Sequence, residues 1–166
     1  MKSAERVFLT WFGLGKIPYA PGTFASLGAI PLCYFFIHLN DSSAIFSWGV
    51  AILFTALAIF LAAQDQKTSH HKDPSYIVID EVAGMLFATI PFSKSTTIYS
   101  WIAAFAFFRI YDILKPFPAN WFDKRSKDSP QPILRGVHIV MDDVVAGIYS
   151  LISLLILNQF FSKYIH

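Results

Sequence analysis

Twenty consecutive residues, 44–63 (AIFSWGVAILFTALAIFLAA), carry no formal charge. That matches the ~20 residues a helix needs to cross a bilayer, where each backbone N–H and C=O has to be satisfied within the segment itself. A helix is therefore dictated for this run, and the rest of the chain has to suit the same solvent. Composition agrees: charged residues are 14%, below the ~25% of soluble domains, while apolar residues reach 55% and aromatics 17%. At 166 residues the length prior is a single domain, 1–166. The expectation is an all-α fold, a small polytopic helical membrane bundle of about five hydrophobic helical segments with its site at one membrane face.

The other segments are less uniform. Residues 24–39 are uncharged but shorter and contain Pro31, which predicts a kinked or partly interfacial helix. Residues 77–91, 97–114 and 139–161 are apolar but charged, each reading as a helix with a functional end. Polar, turn-rich pieces at 40–43, 64–75, 93–96 and 115–136 separate them. The N-terminus mixes polar residues into a short apolar run with no A-x-A site, so it reads as mature sequence rather than a signal peptide.

Several function classes drop out. A net charge of +2 with no Lys/Arg cluster interleaved with aromatics argues against nucleic acid. The lone Cys33 sits in an apolar run, so there is no disulfide framework and no zinc spacing; it reads as a small hydrophobe. Residues 13–23 (GLGKIPYAPGT) fail the nucleotide P-loop pattern, because Thr10 stands where Gly is needed and Ile17 follows Lys16.

With five spans, Lys2, Arg6, Lys16, Lys67, Lys72, Lys115, Lys124, Arg125, Lys127 and Arg135 fall on one side, against Lys94 and Lys163 on the other. An excess of Lys and Arg marks the cytoplasmic side, so the N-terminus is expected there. The same arrangement brings residues 13–23, 72–81, 109–118 and 140–147 to that face.

Those stretches carry the chemistry. Asp80-Glu81 and Asp142-Asp143 lie inside apolar sequence, where an unpaired carboxylate costs several kcal/mol. They suggest a site that collects cations. Adjacent helical residues point about 100° apart, so both members of a pair reach one ion only if the helix end is distorted or each ligates differently, and otherwise one stands behind the other. Hard oxygen ligands without Cys or organised His favour Mg²⁺ or Mn²⁺, with Asp73 as a further oxygen or a cap. The plainer reading is acids paired with Arg109, Lys16 or Lys115. Arg109, Asp112 and Lys115, spaced by three, form a cation-anion-cation row before Pro116. That row is either a self-neutralised pair with a snorkelling lysine, or two phosphate donors flanking a metal ligand. Pro21-Gly22 signals a turn, with Thr23 a candidate N-cap for the next helix. His70, His71 and His138 read as ordinary interfacial histidines.

Residues 20–26 (APGTFAS), 71–84 (HKDPSYIVIDEVAG), 107–118 (FFRIYDILKPFP) and 141–150 (MDDVVAGIYS) together resemble the phosphatidylglycerophosphatase A family, membrane enzymes of bacterial phospholipid synthesis. The match runs in order through most of the chain. It departs at residues 133–143 (ILRGVHIVMDD), which keep Gly136 but place His138 where a second Gly is common, after a longer loop. The resemblance implies Mg²⁺-dependent hydrolysis of phosphatidylglycerophosphate to phosphatidylglycerol and phosphate, at a bacterial inner membrane with the site on the cytoplasmic side. Lipid substrate and bilayer are the implied partners. The implied metal ligands are Asp80, Glu81, Asp142 and Asp143, with Asp73 and Asp112 as outer or alternative ones. Lys16, Thr23, Ser26, Arg109 and Lys115 are implied for the phosphate, and Asp80, Asp142, Asp143, Arg109 and Lys115 for catalysis. A metal-activated water is the first candidate nucleophile and an aspartyl-phosphate the second. A cation-coupled transporter is the rival from another class, since intramembrane acids also mark ion pathways.

Overall fold

A computed structural model describes residues 3–39, 43–69 and 74–164, with side chains through residue 160. The described residues form helices alone: α1 Ser3–Leu9, α2 Pro21–Leu39, α3 Ala44–Thr68, α4 Ile79–Ala88, α5 Ile98–Leu114, α6 Ala119–Asp128 and α7 Pro132–Tyr164, with a 3-10 turn at Leu14–Lys16. The all-α expectation is met. Asp73, His70 and His71 lie outside the described residues.

Three helices are long and apolar enough to cross a membrane: Pro21–Leu39, Ala44–Thr68 and Pro132–Phe160. The five expected segments are all present as helices, but not all as long spans. The 77–91 segment is helical only over α4, whose ten residues rise ~15 Å, half the ~30 Å hydrocarbon core. All ten of its residues are buried, so α4 is apolar because protein surrounds it. It packs against α7, α2, α3 and α5. Exposed apolar surface lies elsewhere, for example at Ile45, Leu53 and Ile113.

Three boundaries differ from the sequence reading, each for a local reason. Pro21 opens α2 at the first helical position, where its missing N–H costs nothing, so Thr23 sits within the first turn rather than capping it. Helix α2 then runs through Pro31 to Leu39. The expected 115–136 loop contains α6, and α7 starts at Pro132, seven residues before the apolar run. Its polar first turns, with Arg135, Gly136 and His138, are covered: Gly136 lies against Ala63, and His138 Nδ1 is 2.9 Å from Ser129 Oγ. Helix α5 ends where Lys115 adopts the left-handed conformation at φ 44° ahead of Pro116.

The α4–α7 crossing sets the distance between the two acidic pairs. A Cβ on Gly147 would collide with the Gly84 carbonyl, and one on Gly84 with the Asp143 carbonyl and the Phe108 ring. Two backbones approach here because neither carries a side chain, the small-residue mode of packing used in membranes. Gly147→Ala is accordingly expected to destabilise the protein by ~1–3 kcal/mol, measured as a lowered unfolding midpoint in detergent.

Candidate active site

Four helices bring their polar residues to one end of the bundle. Ser26 comes from the second turn of α2, Asp80 and Glu81 from the first turn of α4, Arg109 and Asp112 from the last two turns of α5, and Asp142 and Asp143 from α7. The first turn of a helix suits acids, since its unpaired N–H groups carry partial positive charge. Asp80 exploits this directly, its Oδ1 accepting the Glu81 backbone N–H at 3.0 Å.

Glu81 is the hub. Its Oε2 accepts from Arg109 Nη1 at 2.5 Å and from Ser26 Oγ at 2.9 Å. Arg109 Nη1 also reaches Asp112 Oδ2 at 3.0 Å and Ser26 Oγ at 3.3 Å. Gly22 leaves room for this, because a Cβ there would overlap the Glu81 carboxylate. Arg109 Nε is buried and has no hydrogen-bond partner among the described residues, so the guanidinium keeps an unused donor beside the cluster.

Glu81, Asp112 and Asp143 each offer a carboxylate oxygen within 4.8 Å of the others, and Glu81 and Asp143 are buried. Three like charges so close repel strongly where water is scarce, and a single guanidinium does not neutralise them. The group could hold a metal ion. Its donors are hard oxygens with no Cys or His among them, the chemistry of Mg²⁺ or Mn²⁺ rather than zinc.

Asp142, the other member of the α7 pair, turns elsewhere. Lys115 Nζ donates to Asp142 Oδ2 at 2.7 Å and to Asp123 Oδ1 at 2.5 Å, and Lys127 holds Asp123 Oδ2 at 3.0 Å. Burial works against the Lys115 ammonium, but Asp142 and Asp123 hold its pKa well above the ordinary lysine value. Burial likewise works against the Asp123 carboxylate, and hydrogen bonds from Lys115 and Lys127 outweigh it, leaving its pKa below the usual range. This chain of charges pins α6 to α7. Asp123 had no sequence signal, because it sits in the polar DKRSK stretch and meets Lys115 only after the 115–118 turn.

The remaining candidates are placed as follows. Ser26 is in the hub, Thr23 is half-buried in the first turn of α2, and Lys16 is exposed beside the 3-10 turn. Lys16 lines a separate small cavity with Arg6, Thr10, Asp65 and Tyr76, where the Tyr76 hydroxyl donates to Asp65 Oδ2 at 2.8 Å. Of the plainer reading of the Arg109 row, the Arg109–Asp112 pair is present, with the same guanidinium also serving Glu81 and Ser26, while Lys115 is held by Asp142 and Asp123 rather than snorkelling.

Comparison with known proteins bears on this arrangement. The family description Phosphatidylglycerophosphatase A matches residues 7–158, nearly the whole chain and every described member of the cluster. The chain belongs to the phosphatidylglycerophosphatase A family. It is 36% identical over 153 residues to phosphatidylglycerophosphatase A of Escherichia coli K12, covering 90% of this chain and 81% of that protein. To the Haemophilus influenzae protein of the same name it is 37% identical over 148 residues, covering 85% and 80%. It is also 35% identical over 147 residues, 86% of each chain, to a Bacteroides thetaiotaomicron protein named as a candidate phosphatidylinositol-3-phosphatase. No solved structure matches. The relatives of the first two organisms are named as phosphatases, and the chain is an enzyme of the phosphatidylglycerophosphatase type.

Proposed function

We propose that this protein hydrolyses phosphatidylglycerophosphate to phosphatidylglycerol and inorganic phosphate, using Mg²⁺ held by Glu81, Asp112 and Asp143. The observation that carries the reading is the meeting of those three carboxylates, one from each of three helices, beside the Arg109 guanidinium. A phosphate monoester is a dianion and would be repelled by carboxylates alone. Mg²⁺ in the cluster supplies the charge that reverses this field and polarises a phosphoryl oxygen.

The chain's own groups have separable tasks. Arg109 turns its spare donor to a phosphoryl oxygen, acting on the charge that spreads over the equatorial oxygens in the transition state. Ser26 fixes the Glu81 carboxylate, and Asp80 sits behind it at the start of α4. Lys115 holds Asp142, so α7 keeps the rotation that aims Asp143 into the cluster. The overall step is balanced by water: the P–O bond to the glycerol oxygen breaks, that oxygen takes a proton, and water supplies the new phosphoryl oxygen. Thr23, in the first turn of α2, contributes to phosphate binding.

The whole chain works as one membrane domain, with the site at the cytoplasmic side of a bacterial inner membrane as the Lys/Arg distribution predicts. Acids gathered at one end of the bundle suit an interfacial enzyme better than a cation path, whose acids belong near the midplane. The test is phosphate release by the purified protein with and without Mg²⁺, from phosphatidylglycerophosphate and, in parallel, phosphatidylinositol 3-phosphate. Metal-independent release rejects the metal assignment, and preference for the inositol lipid rejects the substrate assignment.

A further inference from the structure

The two helices that hold Ser26 and Arg109 also wall a groove beyond the site. At the site end Arg109 Nη1 lies 3.3 Å from Ser26 Oγ. One turn further along the same face of α2 is Ile30, and a second turn on is Tyr34; on α5 the equivalent steps from Arg109 are Phe105 and Trp101. These four, with Leu27 and Ile102, line an apolar groove of about 460 Å³. The Tyr34 and Trp101 rings lie 6.3 Å apart between centroids, and the groove continues past them to Ile98 and Thr96. From Arg109 to Trp101 the rise is ~12 Å, close to the ~15 Å depth of one hydrocarbon leaflet.

We infer that this groove receives an acyl chain of the lipid whose phosphate is bound at Arg109, so that the enzyme reads the tail as well as the headgroup. The inference rests on the phosphatase reading above. Its physical basis is continuity: the groove mouth is one helical turn from the phosphate-binding residues on both of its walls. A headgroup seated at Arg109 presents its own chain there as a tethered, effectively intramolecular ligand, which bulk lipid has to compete with at a disadvantage. Apart from Thr96 at the far end the walls are apolar, matching a hydrocarbon chain, whereas the charged side chains stop at Arg109.

Two measurements test this, one of them independent of turnover. A phosphatidylglycerophosphate carrying a mid-chain diazirine is photolysed with the full-length protein in nanodiscs, and the labelled residues are mapped. Labelling is expected to concentrate on Ile30, Trp101 and Phe105 over the exposed Ile52 and Leu53 of α3, and to be displaced by excess long-chain substrate. Labelling spread evenly over both surfaces overturns the inference. In the second measurement, the ratio of kcat/KM for dipalmitoyl over dihexanoyl substrate is compared between wild type and Ile30→Trp or Phe105→Ala. A fall in that ratio of about tenfold or more is expected, the discrimination a methylene supplies in an apolar pocket. An unchanged ratio, including equal losses on both substrates, overturns it. If neither lipid is hydrolysed by the wild type, the phosphatase reading fails and the labelling map alone decides whether the groove takes a chain.

Discussion

Asp143→Asn is expected to lower Mg²⁺-supported phosphate release by at least about a hundredfold, since a metal clamp is worth several kcal/mol and each 1.36 kcal/mol is tenfold. Asn keeps the volume and one oxygen but removes a charge from the group formed with Glu81 and Asp112. The expected pattern is a raised Mg²⁺ requirement with the fold intact. Removing one of three crowded carboxylates relieves repulsion, so the metal-free variant is expected to unfold at the same or a higher temperature than metal-free wild type. Mg²⁺ titration followed by thermal unfolding and by turnover reads both. Full activity, with an unaltered Mg²⁺ dependence, rejects Asp143 as a ligand. Asp142→Asn provides the contrast: Asp142 faces Lys115, and its loss is expected to loosen α6 more than to change the metal requirement.

Arg109→Met is the second large effect, and it has the opposite sign for stability. Arg109 is the cation that meets Glu81 and Asp112, and its removal leaves those carboxylates facing each other in a poorly hydrated place. Breaking such a pair costs ~3–5 kcal/mol. Mg²⁺ is expected to restore part of that stability by replacing the lost charge, without restoring turnover, because the phosphate donor is gone. Arg109→Lys keeps the charge but lacks the planar fork, so it is expected to recover stability more than activity. Thermal unfolding with and without Mg²⁺, alongside phosphate release, separates these outcomes. Wild-type turnover in Arg109→Met overturns the role given to the guanidinium.

The acidic pairs were legible in the sequence because charge inside apolar runs is expensive and therefore conspicuous. Which member of each pair enters the cluster was not legible. That choice depends on the rotation of α4 and α7 about their axes, set by the Gly84–Gly147 crossing and by Lys115 holding Asp142. In the sequence, Asp112 is open between pairing with Arg109 and serving as an outer or alternative metal ligand. It joins the cluster because α5 ends beside the start of α4. Ser26 came from the family resemblance, and the fold supplies its physical reason in the hydrogen bond to Glu81.

The uncharged run at 44–63 determined a great deal by itself: in hydrocarbon an unsatisfied backbone group costs several kcal/mol, so helix and membrane follow from composition. Composition could not say that the 77–91 segment is a short buried helix rather than a span. A stretch walled by protein and one walled by lipid are equally apolar, and only the packing of α7, α2, α3 and α5 around α4 distinguishes them. Nor could it reveal α6 or the polar start of α7, whose helical turns are stabilised by partners distant in sequence, among them Ala63 against Gly136 and Asp123 against Lys115. Local hydrophobicity thus settled which segments suit a bilayer, and the tertiary structure settled which of them are walled by protein and which charges meet, because apolarity is a property of the sequence pattern whereas burial and helix rotation are properties of the contacts.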